Sequence, residues 1–196
     1  MRAALVVVAW LMLVNGTLNL VGGAGVFLLS PFHLSARLEA LRLYALHRPT
    51  CLFGGHRPLP PVIAAAEWRE HLPQGLLLAV VEVESGLQTH RISATGAVGP
   101  GQLLPSTARW LRVEDPFDTV EGVNGSARYL SMQLRRFRSI SLALAAYNAG
   151  PEAVRGGVPG NAETRAYVEQ VTARYVRHHR GRGRERGAGA PRRPSG

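Results

Sequence analysis

An all-α domain is predicted from three observations on this sequence. After Pro61 apolar residues recur at spacings of three and four, period-two alternation is scarce, and prolines stand at the starts of periodic segments. Pro61 opens a segment running to His71, and Pro73 opens another through Leu76, Leu77, Val80, Val81 and Glu84. A third helix is expected after Pro105. The longest runs from about Thr119 to Phe137, where Val120, Val123, Ala127, Leu130, Leu134 and Phe137 form one apolar stripe that needs a partner surface. Ser141 to Ala149 is apolar nearly all round, as a helix inside a bundle is. Glu163 to Arg177 follows the capping candidate Asn161 and sets Tyr167, Val171 and Tyr175 on one face. Short helices around a single core are the expected architecture.

The chain of 196 residues has room for one well-buried domain with appendages. Residues 1–30 read as a signal peptide or a membrane anchor. The apolar run "AALVVVAWLMLV" follows Arg2, no charge recurs until Arg37, and Gly22-Gly23-Ala24 offers a small-residue cleavage site. Either reading exports the globular part. Residues 31–60 are expected to be a linker: His33 to His47 has the makings of a short amphipathic helix using Leu34, Leu38, Leu41 and Ala45, and "RPTCLFGGHRPLPP" then interrupts regular structure. His33, His47 and His56 lack metal-ligand spacing and read as surface or linker histidines. Cys51 is the single cysteine, so no intramolecular disulfide forms.

The formal charge of +10 is carried by arginine, since the chain contains no lysine. Seven arginines against one glutamate lie between Arg177 and Arg193, which leaves the preceding body only mildly basic. Residues 177–196 are expected to be a disordered, solvated tail attracted to anionic envelope polymers. They hold no aromatic residue for base stacking, and an exported chain rarely meets nucleic acid, so nucleic acid is not the expected partner.

The stretch "VVEVESGL" places two glutamates near a helix end. Leu77, Val80, Val81 and Glu84 follow the i, i+3, i+4, i+7 pattern, so Glu84 continues the inward stripe while Glu82 lies about 200° away on a solvated face. An apolar setting and the last turn of a helix both disfavour the charged carboxylate and raise its pKa. A carboxyl protonated near neutral pH suits glycosidic cleavage, whose leaving oxygen needs a proton. Spacing alone leaves a second reading open, an inward carboxylate neutralised by an arginine.

Three motifs, "ESGLQTHRISATGAVGPGQLLPSTA" from Glu84, "ALAAYNAG" from Ala143 and "ETRAYV" from Glu163, agree in order and spacing. Together they resemble the soluble lytic transglycosylase family of peptidoglycan-cleaving enzymes over roughly 61–176. The resemblance implies a lysozyme-like helical fold with a glycan groove. It implies Glu84 as the single catalytic acid that later acts as base, with Ser85 as its companion at the helix end. Ser93 and Gln102 fall where the family holds the N-acetyl sugar, and Tyr147 falls where a phenol approaches the reacting centre. Asn148 is expected to brace the helix end beside the substrate. Glu163 corresponds to a groove-lining glutamate, with helix capping as its rival role, and Tyr167 to a tyrosine near the acid. Gly96, Gly99 and Gly101 are expected to let backbone approach a flat sugar ring.

The chain departs from the family where a bulky pair commonly precedes the motif glutamine: Pro100-Gly101 stands there. In the long helix Gly122 and Ser126 replace the usual asparagine and glycine, which is expected to affect packing and not chemistry. Asp115, Asp118 and Glu121 match no catalytic motif. One carboxylate and no second partner point to an internal ring closure in place of hydrolysis, with no metal or organic cofactor. The implied partner is the peptidoglycan strand, and a small domain of this kind suits local opening of the wall for a secretion or conjugation machine.

Overall fold

The computed structural model describes residues 31–54 and 58–188. The leader over 1–30, His56 and the end of the basic tail lie outside the described residues. Seven α-helices follow in order among the described residues: α1 (Pro31–Gly54), α2 (Leu59–Arg69), α3 (Leu76–Glu84), α4 (Pro105–Trp110), α5 (Thr119–Phe137), α6 (Ile140–Ala149) and α7 (Ala162–Ala188), with a 3₁₀ turn at Pro151–Ala153. No described helix is long and apolar enough to cross a membrane.

Helix α3 lies in the core, packed on α7 and α2, with Leu76, Leu77, Ala79, Val80 and Val81 fully buried. Each such leucine or valine contributes about 1.5 to 3 kcal/mol relative to exposure. Helix α5 turns the stripe of Val123, Ala127 and Leu130 inward. Its first turn is capped by Asp118, whose Oδ1 accepts from the N–H of Val120 and Glu121 at 2.9 Å. Helix α6 is buried over Ala143–Tyr147, and its alanines let α5 and α7 pack closely on both sides.

Helix α3 begins at Leu76, three residues after the expected proline, because Gly75 at φ +90° redirects the chain first. Its N-terminus is closed by Glu67 of α2, whose side chain accepts from the N–H groups of Gly75, Leu77 and Leu78 at 2.8, 2.9 and 3.2 Å.

Two expectations are corrected. The helix expected over His33 to His47 is present but runs from Pro31 to Gly54, through residues expected to interrupt regular structure in a linker over 31–60, and α1 docks through the face opposite to the expected stripe. Leu34, Leu38 and Leu41 are 54%, 59% and 56% exposed, whereas Ala40 and His47 are buried. The docked face meets Val98 and Phe117, with Tyr44 set edge-on to Phe117 at 5.5 Å, and Arg109 of α4 pairs with Glu39. His47 is a buried link, with Nδ1 2.5 Å from Asp115 Oδ2 and Nε2 2.9 Å from His90 Nε2. Partners remote in sequence therefore decide which face is inward, and periodicity within 33–47 carries no trace of them.

The second correction concerns the tail. Helix α7 continues to Ala188, past the expected boundary at 176. Glu82 is not simply solvated: it accepts from His178 at 3.0 Å and lies 3.7 Å from Arg174. These pairs tie α7 to the carboxylate on α3 as far as His178, just inside the expected tail.

Candidate active site

After α3 the chain makes a long excursion, residues 85–104, held by isolated antiparallel bridges Ile92–Val98 and Val98–Leu103. This excursion, the C-terminus of α6 and the first turn of α7 enclose a groove of about 640 Å³. Its wall includes Glu84, Ser93, Gln102, Tyr147, Asn148 and Glu163, so six of the eight expected site residues converge there. That volume suits a multi-atom ligand.

Glu84 is the last residue of α3 and is half-buried. Burial pushes its carboxyl up to about 7 from the ordinary 4.5, opposed by the Tyr167 phenol and then by the Arg91 guanidinium. Near neutral pH it can therefore give up a proton and take one back. The hydroxyl of Tyr167 is buried beneath it with no hydrogen-bond partner in standard geometry among the described residues. Burial and the neighbouring Glu84 hold that phenol protonated, well above its ordinary value. The same causes act on Tyr147, whose hydroxyl donates to the carbonyl of Gly101 at 2.8 Å.

Gln102 sits at φ +49°, a backbone state that costs on the order of 1 kcal/mol or more for a residue with a side chain. Its Nε2 donates to the carbonyls of Arg91 and Gly99 at 3.1 and 2.9 Å, which fixes the carboxamide in the groove wall. Ser93 Oγ accepts from the N–H of Ala97 at 2.9 Å and lies 2.9 Å from Thr95 Oγ1, which also lines the groove. Asn148 faces the groove and braces α7 at once, since its Oδ1 accepts from Thr164 Oγ1 at 3.0 Å. Capping of α7 falls to Asn161, which accepts from the N–H of Thr164 at 3.2 Å, and Glu163 stays exposed on the groove wall.

Ser85 is a correction. Expected as the companion of Glu84 at the helix end and grouped with the substrate-binding residues of the family, it is fully buried away from substrate, donates to the carbonyl of Val81 at 3.1 Å and accepts from the N–H of Gln88 at 3.2 Å. It closes the end of α3 and so fixes where Glu84 stands. The glycines are a second correction. A Cβ on Gly96 would lie 2.7 Å from the Ala36 carbonyl carbon of α1, one on Gly99 would overlap the Pro116 carbonyl oxygen, and one on Gly101 would overlap Ser126 Oγ. Their close approaches are to the protein's own atoms.

The two departures in the sequence meet each other. Pro100 packs over Gly122, where a Cβ would lie 3.1 Å from Pro100 Cδ, and Gly101 packs over Ser126. Volume lost from the loop at Gly101 is taken up by Ser126, whose hydroxyl donates to the Gly122 carbonyl at 2.8 Å. Arg91, Tyr129 and Thr95 line the groove without having been expected there. Tyr129 packs on Tyr147 with ring centroids 5.1 Å apart. The period of α5 places Tyr129 beside its main apolar stripe, where an aromatic reads as ordinary core.

Asp115, Asp118 and Glu121 lie elsewhere and serve the turn before α5: Asp115 Oδ1 accepts from the N–H of Phe117 at 3.0 Å, and Glu121 Oε2 from those of Glu114 and Asp115 at 3.0 Å. Among the described residues, no group of three or more histidine, cysteine or carboxylate side chains could hold a metal ion.

Comparison with known proteins bears on the same region. A "Transglycosylase" of Enterobacteria phage PRD1 is 33% identical over 109 residues, which span 56% of this chain and 40% of the relative. This chain therefore matches less than half the length of that relative. An inactive mutant of lytic transglycosylase Slt from Pseudomonas aeruginosa superposes with a TM-score of 0.59 at 21% identity, over 76% of this chain and 30% of that one. That likeness is one of fold, and it is the lysozyme-like all-α fold described above. The model of the transglycosylase SLT domain matches residues 61–167, which run from the second residue of α2's proline pair to the tyrosine beneath Glu84. On that match, the chain belongs to the transglycosylase SLT domain family.

Proposed function

We propose that this protein is a peptidoglycan lytic transglycosylase that cleaves the β-1,4 bond between N-acetylmuramic acid and N-acetylglucosamine and leaves a 1,6-anhydromuramyl end. The observation that carries the reading is Glu84, a half-buried carboxyl on the groove wall with its pKa pushed up to about 7. The Slt relative is inactive when one of its glutamates is replaced by glutamine, which agrees with an essential carboxyl in such a groove.

Glu84 donates its proton to the glycosidic oxygen as the bond to the muramyl C1 breaks. The acetamido oxygen, oriented by Ser93 and Gln102, covers the electron-poor C1. The resulting Glu84 carboxylate takes the proton of the muramyl 6-hydroxyl, whose oxygen closes on C1. Glu84 ends protonated, and water is not consumed. Tyr147 and Tyr167 stay neutral, so they add hydrogen-bonding capacity beside the acid without adding charge.

Export fits a wall substrate, and the apolar residues near the N-terminus would supply it as a cleaved leader or an anchor. Local opening of the wall for an envelope-spanning secretion or conjugation machine is proposed on family analogy. The alternative is a lysozyme-like hydrolase, and the observation favouring it is Glu163, a second carboxylate on the same groove wall. Mass spectrometry of products from purified wall separates them. Anhydro ends, one water lighter than reducing ends, are expected; predominantly hydrated ends would overturn the transglycosylase reading, and binding without cleavage would favour a non-catalytic assembly role.

A further inference from the structure

Helix α1 stands outside the span of the SLT domain match, residues 61–167, yet two of its histidines bear on the groove. His33 forms part of the groove wall. His47, 5% exposed, bonds to two segments from other parts of the chain, the excursion at His90 and the turn at Asp115. A carboxylate accepts and does not donate, so the 2.5 Å contact takes its proton from His47 Nδ1. The 2.9 Å contact between the two Nε2 atoms holds one further proton, carried by one ring or the other. Phe117, fully buried, packs on the His47 ring with centroids 5.8 Å apart, which leaves the link little room to swing.

Each end of that link continues into the site. His90 is joined by one peptide bond to Arg91, whose carbonyl accepts from the N–H of Gly99 at 3.0 Å and from Gln102 Nε2 at 3.1 Å. Arg91 lines the groove with Glu84, and its guanidinium acts to lower the pKa of that carboxyl. Asp115 uses its other oxygen to accept from the N–H of Phe117 and Asp118 at 3.0 and 3.3 Å, which fixes the turn carrying the Pro116 carbonyl. A Cβ on Gly99 would overlap that carbonyl oxygen, so the excursion rests against it. One imidazole therefore ties the segment carrying Arg91 to the turn that backs Gly99. The Glu39–Arg109 pair, by contrast, ties α1 to α4 at the surface.

We propose that His47 is a positioning residue for the groove: from a helix outside the domain match, it holds Arg91 beside Glu84 and, through the Arg91 carbonyl, Gln102 in the wall. It lies behind the wall and touches no reacting atom. A displacement of about 1 Å in such a wall is enough to slow turnover tenfold or more. The inference rests on the glycan-cleaving reading for its effect on rate, while its effect on Glu84 is read without substrate.

Glu84 is faced by Tyr167 of α7, Tyr147 of α6 and Arg91, with Glu163 and His33 on the same groove wall. In the full chain labelled with carbon-13 at its glutamate carboxyls, the Glu84 resonance is the one missing from Glu84→Gln. Its titration by NMR should have a midpoint of about 7 in the unsubstituted protein and a higher one in His47→Ala, because Arg91 is no longer held in place. In an Arg91→Gln background, His47→Ala should move the midpoint no further. His47→Gln keeps a donor for Asp115 and an acceptor for His90 and should restore the midpoint; Glu39→Gln, which loosens α1 from α4, should leave it unchanged. Below neutrality, where Glu84 is protonated in both proteins, kcat for wall cleavage should fall about tenfold in His47→Ala. A mere loss of folded protein scales the rate at every pH and leaves the midpoint alone. An unmoved midpoint in His47→Ala, or an equal movement in Glu39→Gln, would overturn the proposal. If His47→Ala does not fold, the half-buried His90→Ala cuts the same link and carries the same expectation. Failure of the catalytic reading is distinguishable: the unsubstituted protein would then cleave no wall, while the NMR titration would still decide whether His47 positions Arg91.

Discussion

A glutamate side chain stands at each end of helix α3, Glu67 of α2 at its start and its own Glu84 at its end, and the two meet opposite surroundings. At the N-terminal end Glu67 is 2% exposed and accepts from three backbone N–H groups. Those are orphan donors of the helix, at the positive end of its dipole, so the carboxylate is fully partnered and its role is structural. At the C-terminal end Glu84 is half-buried, faces a groove and has phenols for neighbours. Burial pushes its pKa up to about 7. The contrast teaches that low exposure alone does not make a carboxyl reactive; the donors supplied to it decide.

The sharpest test of that contrast is a pair of substitutions. Glu84→Gln should lower glycan cleavage by at least about 100-fold, since an amide has no proton to donate. It should also stabilise the fold above neutrality. The folded pKa of about 7 lies above the ordinary 4.5, so the favourable contribution is complete below about pH 4.5 and is lost as pH rises through 7. At about 1.4 kcal/mol per unit, the variant should gain up to about 3 kcal/mol at pH 8 and nothing at pH 4, by urea unfolding. Glu67→Gln should do the reverse, costing about 2 to 4 kcal/mol because an amide nitrogen then faces an N–H, with the cleavage rate of folded protein unchanged. Full activity in Glu84→Gln, or a folded but inactive Glu67→Gln, would break the comparison.

A smaller effect probes the platform under the acid. Gly101→Ala should cost about 1 to 3 kcal/mol through overlap with Ser126 and should loosen the Tyr147 bond. Adding Ser126→Gly should return part of the melting temperature, and strict additivity of the two changes would show that they do not share one space.

Next is the pH profile of kcat/KM, whose alkaline limb should follow loss of the Glu84 proton near pH 7. Tyr167→Phe and Arg91→Gln each remove an influence that lowers the carboxyl's pKa, so each should move that limb to higher pH. A shift to lower pH would show that the phenol or guanidinium acts differently. Smallest of all, Arg174→Ala with His178→Ala should cost about 1 kcal/mol or less, since both partners of Glu82 are half-exposed. A larger drop in melting temperature would make the extended α7 a structural strut.

Local pattern sufficed for much of this molecule. The stripe of Val123, Ala127 and Leu130 marks α5 residue by residue, the apolar register of α3 turns Glu84 and Glu82 apart, and three spaced motifs pick out six groove residues. Those features depend on helical period and on short-range chemistry, which any stretch of chain carries within itself. What stayed illegible depends on neighbours far away in the chain. Leu34, Leu38 and Leu41 look like a core stripe until Phe117, Asp115 and His90 draw the opposite face of α1 inward. Ser85 looks like a companion of the acid until Val81 and Gln88 take both its bonds. Glu67 carries no sign of its task, because the donors it satisfies lie eight to eleven residues onward. The sequence by itself determined most of the helices and singled out Glu84 as the candidate acid; tertiary packing alone decided which faces are buried, which glutamate is satisfied and where the groove leads, because each is settled by partners that only folding brings within reach.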